Sequence, residues 1–123
     1  MTSEISWVLQ VAPKPGKLDE FTSLMGEMVE STSNEPGAVA YEWFVSEDGS
    51  QIHIYERYAD SDATLAHLGA FGENFAERFL GAVDPTGFTV YGSPSDALRE
   101  GLAALGPTYL GPFGGFTHRT TGG

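Results

Sequence analysis

The strongest constraint on this chain is the run from Glu35 to His67, EPGAVAYEWFVSEDGSQIHIYERYADSDATLAH, in which two ring-rich segments flank an Asp-Gly turn. Val39 to Val45 has the aromatic and β-branched composition that suits a pleated, half-buried surface. Asp48-Gly49, inside the turn Ser46 to Ser50, is a strong short-range hairpin signal. The returning segment, Gln51 to Tyr58, alternates between two faces, with His53, Tyr55 and Arg57 on one and Ile52, Ile54, Glu56 and Tyr58 on the other. So many polar tips among the rings of a covered strand predict a sheet that lines a cavity. A helix opens directly behind it, with Asp60 or Ser61 as its cap.

Ahead of the hairpin, Ile5 to Ala12 reads as a strand with Ile5, Trp7, Leu9 and Val11 on one face. Pro13-Lys14-Pro15-Gly16 ends it. A helix follows from Lys17 to Ser33, with Leu18, Phe21, Leu24, Met25, Met28 and Val29 as a core-facing stripe, and Asn34-Glu35-Pro36-Gly37 stops it. Behind the hairpin, Leu65, Leu68, Phe71, Phe75 and Phe79 run down the second helix, which Gly69 and Gly72 weaken; a break is expected near Gly72. Asp84 to Gly87 reads as a turn and Phe88 to Tyr91 as a short fourth strand. Ser93-Pro94-Ser95-Asp96 opens a third helix, with Ser93 as cap and Pro94 at the first helical position; its stripe is Leu98, Leu102 and Leu105. The tail after Gly106-Pro107 carries Tyr109, Phe113 and Phe116, rings that predict packing across its own subunit or a partner. The last four residues, TTGG, are expected to be disordered.

The order is therefore β-α-β-β-α-β plus a C-terminal helix, an α+β chain with a ferredoxin-like antiparallel sheet and helices on one face. One domain spans 1–123, with its core at 4–92, the extra helix at 93–106 and the tail at 107–123. Trp7, Trp43 and the other rings exceed what a monomer leaves in water, so a second copy is expected to cover the open face.

Composition narrows the functions. The net charge is −11, from 17 acidic residues against six Lys and Arg, which repels phosphate backbones and anionic lipids; no nucleic acid and no membrane are the expected partners. No apolar run approaches the roughly 20 residues of a membrane span. Cysteine is absent, which removes thiol nucleophiles and thiolate metal sites. The N-terminal run lacks a basic region ahead of its apolar residues, and a cytoplasmic protein is the expectation.

Several residues together resemble the antibiotic biosynthesis monooxygenase family: Glu35-Pro36-Gly37 after the first helix, Tyr41 and Trp43 in the second strand, Glu56 within IYERYAD, and His67 in the early turns of the next helix. The resemblance covers residues 4–92. It implies a homodimeric α+β barrel with a pocket in each subunit between sheet and helices, which in characterised members binds a quinol, a polyketide-derived phenol or haem. Quinols and phenols are oxygenated there without metal or flavin. Many members carry a second histidine in the helix; here Phe71-Gly72 stands near that place, and His67 alone does not secure a haem.

Cofactor-free oxygenation needs a phenol or quinol that, once deprotonated, passes an electron to dioxygen. The protein supplies a base, hydrogen bonds to the anion and a dry chamber. No cofactor and no metal are expected, since His53, His67 and His118 lack a zinc-like spacing. His67, Glu56 and Tyr41 are the catalytic candidates, with His53 as another candidate base, because an imidazole titrating near about 6.5 suits proton abstraction at neutral pH. Trp43, His53, Tyr55 and Phe71 are the candidate contacts to a small aromatic substrate. Each has a plainer reading: Glu56 as an ion-pair anchor, His67 and His53 as surface residues, Trp43, Tyr41 and Phe44 as core or dimer contacts. Two other functions fit the same fold, a non-catalytic binding or structural dimer and an isomerase or decarboxylase that moves a proton without oxygen.

Overall fold

Alternation in the first strand decides which side of the sheet is covered. In the computed structural model, which describes residues 3–118, β1 (Ile5–Pro13) buries Ile5, Trp7 and Val11 almost completely. It is the middle strand of a sheet ordered β2-β3-β1-β4-β5, with β2 spanning Ala38–Val45 and β3 Ile52–Tyr58. β4 runs Val83–Tyr91 and β5 Thr108–Leu110. The first four strands pair antiparallel, in ferredoxin-like order; β5 lies parallel on β4.

α1 (Leu18–Ser33), α2 (Ser61–Asn74), α3 (Ala76–Ala82) and α4 (Asp96–Leu102) complete the order. α1 presents Phe21, Leu24 and Met28 to Val11, Ile52, Ile54 and Phe79, while Leu98 and Leu102 of α4 close a second cluster around Ile5, Trp7, Tyr58 and Val90. No helix among the described residues is long and apolar enough to cross a membrane.

Several expected details shift. The helical break falls at Phe75, with φ −130°, rather than at Gly72; the glycines inside α2 meet no neighbour that would force a bend. Asp84 to Gly87 belongs to β4 rather than to a turn. Its irregularity is absorbed as a bulge, since Gln10 pairs with Gly87 and Val11 with Pro85, leaving Thr86 without a partner opposite. A bulge is where a strand tolerates proline. Ser95, not Ser93, caps α4 by accepting a hydrogen bond from the Leu98 amide at 3.2 Å. The tail forms β5, and Tyr109 packs under Arg99 at 4.2 Å, whereas Phe113 and Phe116 stand in solvent within this chain. The expected disorder of TTGG lies outside the described residues.

The rings sit elsewhere than expected. Trp7 and Trp43 occupy the helix-covered side with Glu56 and Tyr58, since Trp7 pairs with Glu56 and Trp43 with Ile54. The uncovered face carries Val8, Phe44, His53, Tyr55, Arg57 and Tyr91 instead. The hollow described below therefore lies inside one subunit, between sheet and helices.

The Pro36-Gly37 corner has a steric reason. A Cβ at Gly37 would collide with the side chain of Ala63 on α2, because the start of β2 is tied to the chain ahead of α2 by a 2.9 Å bond from the Ala59 amide to the Gly37 carbonyl. Gly37→Ala is expected to destabilise the fold by about 1–3 kcal/mol through overpacking. Adding Ala63→Gly should recover all but the roughly 1 kcal/mol that a helical glycine costs. Urea titrations of the two variants decide it; a neutral Gly37→Ala would refute the contact.

Candidate active site

A buried carboxylate on a sheet persists as an anion only where donors surround it. Glu56 sits on the helix-facing side of β3 with its side chain 6% exposed; two groups reach its oxygen, and a third stands alongside. Tyr58, two residues on along the same face, donates its hydroxyl to Glu56 Oε1 at 2.6 Å. His67 Nε2 approaches that oxygen at 3.3 Å. Tyr41, directly opposite Glu56 on β2, packs its ring against the His67 imidazole at 5.6 Å.

α2 delivers His67. Asp60 caps the helix by accepting from the Ala63 amide at 2.8 Å, and Thr64, one turn before His67, donates its hydroxyl to the Asp60 carbonyl at 2.8 Å. That anchors the first turns, so the imidazole enters between β2 and β3 with its side chain 7% exposed. Its other nitrogen, Nδ1, lies 3.0 and 3.3 Å from the two carboxylate oxygens of Glu35. Glu35 stands just before the Pro36-Gly37 corner and is 22% exposed. The imidazole is thus clamped between a buried carboxylate and one that reaches water.

Charge states follow. Burial alone works against an imidazolium at His67, but the hydrogen bonds and charges of Glu56 and Glu35 outweigh it, and the net direction is upward. Tyr58 and Tyr41 are both driven well above the ordinary phenol range, first by burial and then by the charge on Glu56. Both remain neutral hydroxyls near pH 7, donors rather than bases.

A cavity of about 50 Å³ opens beside this cluster, walled by Trp7, Leu9, Tyr41, Glu56, His67, Phe71 and, from the turn after α4, Leu105. An apolar cavity of roughly 150 Å³ is the size known to hold benzene, so a ring enters only if the wall yields. Leu105 is its most exposed part, 49% exposed on a 3₁₀ turn (Ala103–Leu105) that ends at a left-handed Gly106.

His67, Glu56, Tyr41 and Phe71 come together at the cavity. Trp43 does not reach it: its ring touches Tyr41 at 5.6 Å and Phe21 at 5.7 Å and borders a separate hollow with Phe44 and Met25. His53 and Tyr55 lie on the opposite face of the sheet, because strand alternation sends them away from Glu56. They stay apart from the cluster. Glu35, the residue that completes it, reads in the sequence as part of a helix stop; its partner is 32 positions away. Among the described residues no cluster of three or more His, Asp or Glu side chains is arranged to hold a metal ion.

A ferredoxin-like sheet with helices over one face, and a histidine between two carboxylates beside the cavity beneath them, define a small α+β protein with a buried charged cluster. Residues 5–84 match the family model described as antibiotic biosynthesis monooxygenase, and the chain belongs to that family. MupZ from Pseudomonas fluorescens is similar in structure, with a TM-score of 0.87 at 26% identity over 96% of this chain and 91% of that one; the matched span includes the segment after β4. Rv0793 from Mycobacterium tuberculosis is 29% identical over 70 residues, covering 57% of this chain and 69% of its own length. Its structure gives a TM-score of 0.67 at 24% identity, over 77% of this chain and 99% of that one. SnoaB, a cofactor-independent oxygenase from Streptomyces nogalater, shares the fold with a TM-score of 0.66 at 17% identity, over 76% of this chain and 96% of that one.

Proposed function

We propose that this protein is a monooxygenase that works without a cofactor on a small hydroxylated aromatic or quinol. The observation that carries the reading is the convergence of Glu56, His67 and Tyr41 on one cavity wall. Glu56 takes the hydroxyl proton and hands it to Nε2 of His67, the imidazolium so formed balances the charge left behind, and the Tyr41 hydroxyl donates to the anion. The electron-rich anion then passes an electron to dioxygen inside a chamber that keeps water away. Membership of the family and the likeness to SnoaB support this chemistry.

A homodimer belongs to the same proposal, with the uncovered sheet face, where Phe44, Tyr55 and Tyr91 lie, as the surface to be covered. A cytoplasmic setting suits an acidic chain without cysteine.

The array also favours a second reading. A histidine carrying a proton between two carboxylates supplies an acid and a base at once, which serves an isomerase or decarboxylase that needs no oxygen. Oxygen uptake with a panel of quinols and phenols separates the two. Uptake that disappears with Glu56→Gln supports the oxygenase; turnover that persists without oxygen supports proton transfer alone. No turnover and no thermal shift with any of the panel would mean that the cavity is a packing hole.

A further inference from the structure

A proton taken up by a group as enclosed as Glu56 has to leave before the site can act again. Water has little access to it. The contacts lay out one route: Glu56 Oε1 to His67 Nε2 at 3.3 Å, across the ring, and Nδ1 to the Glu35 carboxylate at 3.0 Å. Exposure rises along it, from 6% at Glu56 and 7% at His67 to 22% at Glu35. The other titratable groups facing the ring are Tyr58 on β3 and Tyr41 on β2. Tyr58 is fully buried and Tyr41 partly so; both hold their protons near pH 7, so neither accepts one from the ring in place of the Glu35 carboxylate.

We infer that Glu35 is the proton port of this site: it draws the Nδ1 proton of His67 out to solvent while Nε2 receives one from Glu56. No proton is created or lost in the step. On the neutral ring protonated at Nδ1, one proton passes from Glu56 oxygen to Nε2 to make the imidazolium, and one then passes from Nδ1 to the Glu35 carboxylate and on to water. The ring ends as the Nε2–H tautomer and resets when the step runs in reverse during product formation, Nε2 returning a proton to Glu56 as Nδ1 regains one from water through Glu35. Glu35 touches no substrate and is a positioning and relay residue. The inference rests on Glu56 and His67 being the proton-handling pair, and it holds whether or not oxygen is the second substrate.

The corner that carries Glu35 is placed to serve this role. Pro36 and Gly37 bring the chain against α2, where the Gly37–Ala63 approach allows no intervening side chain. The carboxylate therefore reaches the helix flank from a segment whose other side meets water.

The test uses the whole chain without ligand: the exchange rate of the His67 ring N–H protons with water, read by NMR in the wild type and in Glu35→Gln. If Glu35 only clamps the ring, its loss loosens the site and exchange accelerates. If Glu35 is the port, losing its carboxylate slows exchange by about tenfold or more, as expected for removal of a positioned proton acceptor. Glu35→Asp, which keeps a carboxylate, should stay within about threefold of the wild type and serves in place of the glutamine variant if that one fails to fold. Unchanged or faster exchange in Glu35→Gln, or equal slowing by Gln and Asp, overturns the inference. None of these readings depends on oxygen uptake, so failure of the oxygenase reading leaves this result interpretable.

Discussion

His67→Ala is expected to lower stability by about 3 kcal/mol and any proton-dependent turnover by about a hundredfold or more. The first effect comes from what remains. Without the imidazole, Glu56 stays buried with the Tyr58 hydroxyl as its hydrogen-bond donor, and a carboxylate deprived of its charged partner in a dry interior is costly. Glu56→Gln in the same chain removes that stranded charge and should restore most of the loss. Chemical denaturation of both single variants and the double variant closes the cycle; strict additivity would mean that the two residues do not interact.

The loss should also depend on pH, with a definite sign. The fold raises the His67 pKa, so this contribution is complete below the unfolded imidazole value of about 6.5 and fades as pH rises through the higher folded value. The stability gap between wild type and His67→Ala therefore narrows as pH rises above about 6.5 and through the higher folded value. Tyr41 and Tyr58, also raised, oppose unfolding until above about pH 10, where their unfolded forms ionise. A gap that widened with pH would show that the clamp does not favour the imidazolium.

Leu102→Ala is the second large effect. Leu102 and Leu98 are fully buried although both lie beyond the residues that the family model matches. They pack on Ile5, Trp7, Tyr58 and Val90, so α4 closes the core cluster whose Trp7 also lines the cavity. Truncating a sealed leucine of this kind costs about 3 kcal/mol, which lowers the midpoint of thermal unfolding by roughly 10 °C in a domain of this size. Leu105→Ala, at a half-exposed site, should cost about 1 kcal/mol or less. Equal effects from the two would show that the helix is only loosely attached.

The same residues explain what could be read in advance. The hairpin, the Phe21, Leu24 and Met28 part of the stripe on α1 and the side of β3 on which Glu56 lies follow from local periodicity, which one segment carries by itself. Leu18 and Val29 of the expected stripe stand at the surface, because the sheet covers only the middle of that face. The division of Trp43, His53 and Tyr55 between two faces and a second hollow is not local in this way. Strand alternation names the faces, but only the docking of α1, α2 and α4 decides which face becomes interior. β5 is three residues long, too short for a pattern, and exists because β4 offers it an edge. Glu35 is harder still, since its meaning depends on a histidine in another element. A glutamate directly before Pro-Gly, where the chain must approach a helix closely, is the only clue the sequence holds.

The position of β1 bears on how the molecule is made. The first strand of this sheet in chain order lies in its middle, and its two neighbours are β3 and β4, the latter ending at Tyr91. During synthesis Ile5 to Pro13 keeps one hydrogen-bonding edge open until β3 is made and the other until β4 follows, so the sheet closes late. Slow, non-local closure of this kind exposes unpaired edges to other nascent chains. A net charge of −11 sets like chains to repel one another while those edges are open.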